Sequence, residues 1–156
     1  MFGPLPTRYF LTAGSGEAST ELNAFDAALL DAGVGDTNLI KMSSILPPGA
    51  TLVEKHPLVR GAFVPLAYGD RVSDVPGQII SAAVAVGIPE EPLESGLIME
   101  CSRIGPPEEC EKSARNMVIE GMENIRKRKI KEIKSISVSI KVKKIGAVFA
   151  AVVLCQ

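Results

Sequence analysis

Two adjacent hydroxyls, Ser43 and Ser44, interrupt an apolar stretch, NLIKMSSILPPG, at residues 38–49. The purpose of the pair is not given by the stretch itself, since small polar residues followed by Pro47 and Pro48 end strands routinely. Glu100 closes the apolar run GLIME. At a strand end facing a cleft, desolvation would favour the protonated carboxyl that a general acid requires, whereas a solvated strand-end glutamate is the bland alternative. Asp26 follows Leu22 by four residues, so the two share a helix face one turn apart. An acid beside an alkyl group suits a ligand with a cationic head and an alkyl stem, and an exposed helix acid is the competing reading. His56, the single histidine, stands beside Pro57 in a loop-like segment and gives a Ser-His-Asp hydrolase little support. Cys101, Cys110 and Cys155 lack paired zinc-ligand spacing, so packed, reduced thiols and no metal are expected. GSGEAS at 14–19 lacks the lysine and spacing of a phosphate loop and reads as a turn before a helix cap.

These side chains must be held by a globular scaffold. At 156 residues, with 46% hydrophobic and 22% charged side chains, the chain fits one domain, 1–156, with a core of Val, Ile, Leu, Ala and Met. The net charge of −1 is too near neutral for an electrostatic nucleic-acid binder. Charge is uneven, however: residues 1–43 carry two bases and five acids, and 44–156 carry fifteen bases and thirteen acids. The N-terminus lacks the pattern of a signal peptide, and the longest apolar stretch, 145–155, is shorter than a spanning helix. A cytoplasmic protein without a membrane partner is the expectation.

Strand-like runs recur at 8–14, 38–43, 61–69, 79–88, 96–101, 133–142 and 145–155. Residues 133–142 alternate as a strand with one wet face, whereas 145–155 read as a strand buried on both faces. A helix is expected at about 20–32, capped by Ser19 or Thr20, with Leu22, Phe25, Ala28 and Leu29 on one side and a stop at Gly33. A second, at about 107–131, begins with acids and ends in RKRKIKEIK, and its stripe is Ala114, Met117, Val118, Met122 and Ile125. Runs of strands with two helices predict an α+β layered domain.

In order along the chain, LNAFDAALLDAGVGDTNLIKMSSILPPGA, GAFVPLAYG, SDVPGQIISAAVAVGIP and GLIMEC resemble the pyruvoyl-dependent arginine decarboxylase family, from about residue 7 to the end. The resemblance implies a four-layer αββα sandwich. It also implies serinolysis of the Ser43–Ser44 bond, giving a β chain, 1–43, and an α chain, 44–156, headed by a covalent pyruvoyl group made from Ser44. No metal or pyridoxal phosphate is then expected. The implied reaction converts L-arginine to agmatine and CO2 through an imine with that group. Glu100 matches the proton donor and Asn38 a processing or positioning residue. Leu22, Asp26, Gly35, Thr37 and Ser43 match substrate-binding positions, although a family member can carry an aliphatic residue where Thr37 stands. The implied assembly is a trimer of αβ units, or a dimer of trimers, with active sites at subunit interfaces. Two other readings use the same residues: a pyruvoyl-dependent decarboxylase of another amino acid, and an unprocessed oligomeric paralogue without catalysis.

Overall fold

A computed structural model describes residues 4–156. Its centre is made by two strands whose small and β-branched side chains leave no polar face. In β9 (Gly146–Cys155), Val148, Ala150, Val152 and Leu154 point into one core, and Ala147, Phe149, Ala151 and Val153 into another. In β6 (Ile79–Pro89), Ile80, Ala82, Val84 and Val86 meet the first of these cores, and Ala83 and Ala85 enter a third. Period-two alternation thus stacks two sheets face to face and obliges each outer face to take a helix.

The first sheet has the order β2-β5-β9-β1-β4, using β1 (Arg8–Glu17), β2 (Asn38–Lys41), β4 (Thr51–Leu52) and β5 (Phe63–Ser73) around β9. The second has the order β3-β7-β6-β8, using β3 (Ile45–Leu46), β7 (Gly96–Ile104) and β8 (Ile130–Lys141) around β6. Helix α1 (Glu21–Ala32) covers the first sheet and α2 (Pro107–Ile119) the second. The result is the expected α+β, four-layer αββα sandwich. GSGEAS is not a turn throughout: β1 continues to Glu17, where Glu17 pairs with Gly146.

Helix α1 starts where expected, with Thr20 Oγ1 accepting from the Asn23 N–H at 3.2 Å, and stops at Gly33, whose φ of 80° suits a residue without Cβ. Its buried stripe is Ala24, Ala28, Leu29 and Ala32, and Leu22 is 75% exposed. The shift has a steric cause. Gly14 on β1 lies directly beneath the helix, where a Cβ would collide with the Ala28 carbonyl and the Ala32 backbone nitrogen. At that separation Ala28 and Ala32 lie directly over Gly14, Leu29 packs beside them, and Leu22 faces outward.

The second helix is shorter than the expected 107–131. After Ile119 it opens into a π turn, Glu120–Ile125, and β8 begins at Ile130. Its buried stripe is Cys110, Ala114, Val118 and Met122, while Ile125 is 68% exposed. The bases leave the helix: Arg126 Nη1 donates to the Gly121 carbonyl at 3.1 Å, Lys127 has φ 57°, and Arg128 Nη1 donates to the Ser95 carbonyl at 2.9 Å. The polar side of β8 meets α2, where Ser135 and Ser137 donate to the two carboxylate oxygens of Glu111 at 2.6 and 2.7 Å.

Gly14→Ala tests the close seat of α1. The added methyl has only backbone to push against, so the variant should lose roughly 1–3 kcal/mol in urea unfolding, the usual scale of overpacking. Wild-type stability in that variant would show that α1 is free to ride outward.

Candidate functional site

The chain passes from the first sheet to the second between β2 and β3, and both ends of this short crossing are pinned. The Met42 N–H donates to the Leu66 carbonyl on β5 at 2.8 Å, and the Ser44 carbonyl accepts from the Ile98 N–H on β7 at 2.9 Å. The Ser43–Ser44 bond lies between these pins. Ser44 has φ 74°, in the left-handed region, which costs a non-glycine residue on the order of 1–3 kcal/mol.

The Ser44 hydroxyl donates to Glu100 Oε2 at 3.2 Å. Glu100 lies opposite Val84 on β6, a residue of the core between the sheets, so the carboxylate also projects into the inter-sheet space. Gly69 on β5 makes room for it: a Cβ there would lie 3.2 Å from the Glu100 Cβ and from the Cys101 carbonyl oxygen. A serine at positive φ whose hydroxyl donates to a half-buried carboxylate can serve as a nucleophile with an adjacent proton acceptor.

The other sequence candidates occupy a different surface. Leu22 and Leu30, 75% and 54% exposed, flank Asp26 at four-residue intervals on the outer side of α1, and Asp26 makes no hydrogen bond or ion pair among the described residues. Leu30 continues this stripe to Gly35, where a Cβ would fall 2.7 Å from Leu30 Cδ2. Gly35 and Thr37 line a cavity of about 500 Å³ together with Leu30, Asp36, His56 and Arg60. Thr37 Oγ1 donates to the Val34 carbonyl at 2.7 Å, and Asp36 pairs with Arg60 Nε at 3.4 Å. Asn38 Nδ2 donates to the Gly61 carbonyl at 2.9 Å. Although close to Ser44 in sequence, Asn38 begins β2, about 10 Å along the extended strand from Lys41, which ends it.

One chain therefore holds two partial constellations. Ser44 and Glu100 meet between the sheets, with Ser43 exposed beside them. Leu22, Asp26, Gly35, Thr37 and Asn38 lie on or near the α1 side, and the first sheet stands between Asp26 and Glu100. Sequence reasoning missed Leu30 and Gly69. The four-residue spacing from Asp26 was the available signal for Leu30, and an isolated strand glycine marks a close approach at Gly69. His56 packs edge-on against Phe10, ring centroids 5.3 Å apart, and its Nδ1 lies 3.2 Å from the Glu54 carbonyl. Among the described residues no group of three His, Cys, Asp or Glu side chains is placed to hold a metal. No helix among them is long and apolar enough to cross a membrane.

Comparison with known proteins covers both constellations. A family model described as pyruvoyl-dependent arginine decarboxylase matches residues 8–156. The chain is 49% identical over 150 residues to a protein of that name from Methanocaldococcus jannaschii, covering 96% of this chain and 90% of the relative. It is 46% identical to the one from Methanococcus aeolicus, with the same coverage, and 43% identical to the one from Pyrococcus abyssi, covering 96% of this chain and 95% of that relative.

Behind Glu100, on the α2 side of β7, Cys110 Sγ donates to the Cys101 carbonyl at 3.1 Å. Burial, aided by the hydrogen bond to Cys101, pushes the Cys110 thiol up to about 12. Native protein at pH 8 should therefore leave Cys110 unalkylated by iodoacetamide, with modification only after denaturation, as read by peptide mass. The shift also has a sign for stability. Above pH 9 the unfolded thiol loses its proton while the folded one keeps it, so this group's contribution falls as pH rises from about 9 towards 12. Rapid native alkylation would show an open path to the thiol.

Proposed function

The chain belongs to the pyruvoyl-dependent arginine decarboxylase family, and we propose that it cleaves itself at Ser43–Ser44 and then removes CO2 from L-arginine to give agmatine. The observation that carries this reading is the hydrogen bond from the Ser44 hydroxyl to Glu100 at a left-handed serine. Ser44 Oγ attacks the Ser43 carbonyl carbon as Glu100 takes the hydroxyl proton. The amide C–N bond breaks and an ester forms, freeing the Ser44 nitrogen. Loss of the Cα proton of Ser44 then expels Ser43 as a carboxylate and leaves dehydroalanine. Its enamine tautomerises, and water replaces nitrogen to give a ketone with release of ammonia. Relief of the backbone strain at Ser44 favours the first step, and the second position needs a hydroxyl that alanine lacks.

Residue 44 fits the pyruvoyl group, since its side chain already faces the Glu100 carboxylate in a half-buried setting. The ketone supplies an electron sink for the pair left behind as CO2 departs. In this reading Glu100 returns a proton to the substrate carbon. The contact in the uncleaved chain gives it a part in processing as well as in turnover, more than a proton donor needs. Ser43 is left as the exposed end of the β chain beside the reacting centre.

Asp26 offers the guanidinium a carboxylate, and Leu22 and Leu30 offer its alkyl stem an apolar rim. Asp26 and Glu100 lie on opposite sides of the first sheet, which favours a site completed between copies: one supplies Ser44 and Glu100, its neighbour the Asp26 surface with Gly35, Thr37 and Asn38. A trimer, or a dimer of trimers, is the proposed arrangement.

One paired measurement tests processing and chemistry together. Denatured wild-type protein should give fragments 1–43 and 44–156, and Ser44→Ala should stay whole. Glu100→Gln should cleave slowly and, once cleaved, release CO2 about 10²–10⁴-fold more slowly, the scale of a positioned acid. Cleavage of Ser44→Ala at the same bond would remove serinolysis, and wild-type turnover by processed Glu100→Gln would remove Glu100 from the reaction. An intact wild-type chain would instead favour a non-catalytic paralogue.

Substrate choice is tested at Asp26. Asp26→Asn should cleave normally yet lose on the order of 1.5–3 kcal/mol in kcat/KM for arginine, or about one to two decades. Unchanged arginine use, with another amino acid preferred, would point to the alternative substrate class.

A further inference from the structure

Arg71 Nε is the one buried side-chain nitrogen or oxygen without a hydrogen-bond partner among the described residues. The rest of its guanidinium makes no hydrogen bond or ion pair to them either. Arg71 is half-buried as a residue, and a buried polar atom such as its Nε is nearly always satisfied, so a missing partner there calls for an explanation. The direction of this side chain follows from strand register. Arg71 lies opposite Val148 and Gly69 opposite Ala150, and Val148 and Ala150 both belong to the core between the sheets. Arg71 therefore shares the inter-sheet face of β5 with Gly69, two residues away, whose missing side chain makes room for Glu100. The nearby acid is already committed, since Glu100 receives the Ser44 hydroxyl and forms no ion pair with Arg71.

We propose that Arg71 is the receptor for the substrate's α-carboxylate. This assignment rests on the decarboxylase reading. A planar guanidinium matches a carboxylate through parallel charge-assisted hydrogen bonds, and the reaction brings a carboxylate to this neighbourhood when the amine on the same carbon reaches residue 44. The arrangement separates the two charged ends of arginine: its guanidinium goes to a carboxylate on a helix, its carboxylate to a guanidinium between sheets. The same vacancy could be filled by an acidic side chain of a second copy, so the experiment must distinguish the two sources.

Agmatine, which is arginine without its carboxylate, is the discriminating probe. Calorimetric titration of Ser44→Ala protein, which cannot turn substrate over, should show arginine binding weakened roughly 10- to 100-fold by Arg71→Met, with agmatine binding unchanged within about twofold. Arg71→Lys should recover part of the loss. In the cleaved enzyme the same substitution should raise KM for arginine while leaving inhibition by agmatine as it was. Melting temperature should hold or rise, because the buried Nε without a partner has been removed, and sedimentation should show an unchanged assembly. Equal losses for both ligands, or no loss for either, would overturn the assignment alone. Dissociation of the assembly by Arg71→Met would give the guanidinium to a partner copy's carboxylate and overturn it also. Cleaved protein with Arg71 intact that releases no CO2 from arginine would overturn the decarboxylase reading and this assignment together.

Discussion

The crossing from β2 to β3 is the constraint on which the site depends. Met42 is held to one sheet through Leu66 and Ser44 to the other through Ile98, so the few atoms between them must span the gap between two packed sheets. Between the two anchors Ser44 adopts φ 74°, in the left-handed region. The anchors hold because β6 and β9 are buried on both faces and fix the separation of the sheets. The strain at one peptide bond is thus supported by the packing of the whole core, which is how a marginally stable molecule can hold a residue in a costly conformation.

That bond is not what joins the first 43 residues to the remainder. β1 pairs with β9 over ten residue positions and β2 with β5 over four, and α1 seats on both β1 and β9. The short strand β3 and all of sheet two lie after the crossing. A cut at Ser43–Ser44 would therefore release local strain while leaving each ladder and all three hydrophobic cores in place. The uneven charge of the two segments has no such consequence, because their contact is made through apolar strands.

Glycines set the remaining geometry by subtraction. Gly14 lets α1 sit close, with Ala28 and Ala32 directly over the strand, while Leu22 and Leu30 face outward beside Asp26. Gly69 leaves the space that Glu100 enters, and Arg71 follows on the same face. Acid and base are thereby kept on opposite sides of the first sheet. An unpaired carboxylate outside and an unpaired guanidinium inside are complementary to the two ends of one amino acid.

The alternation and length of the apolar runs were enough to specify the layered α+β sandwich, because a strand without a polar face, such as 146–155, has to be covered twice. Thr20 and Gly33 likewise marked the ends of α1 by local hydrogen bonding and backbone freedom. Periodicity failed where contact distance mattered: it grouped Leu22 with Ala28 and Leu29, which are buried while Leu22 is exposed, and it extended α2 through bases that instead cap a π turn and bind the Ser95 carbonyl. The motif around Ser43 and Ser44, with Glu100 and Asp26, was legible as residue types and as a resemblance. Only the tertiary structure decided that Glu100 touches Ser44, that Asn38 and Asp26 do not, and that Arg71 Nε is buried without a partner. Those relations are fixed by sheet register and stacking rather than by any local preference.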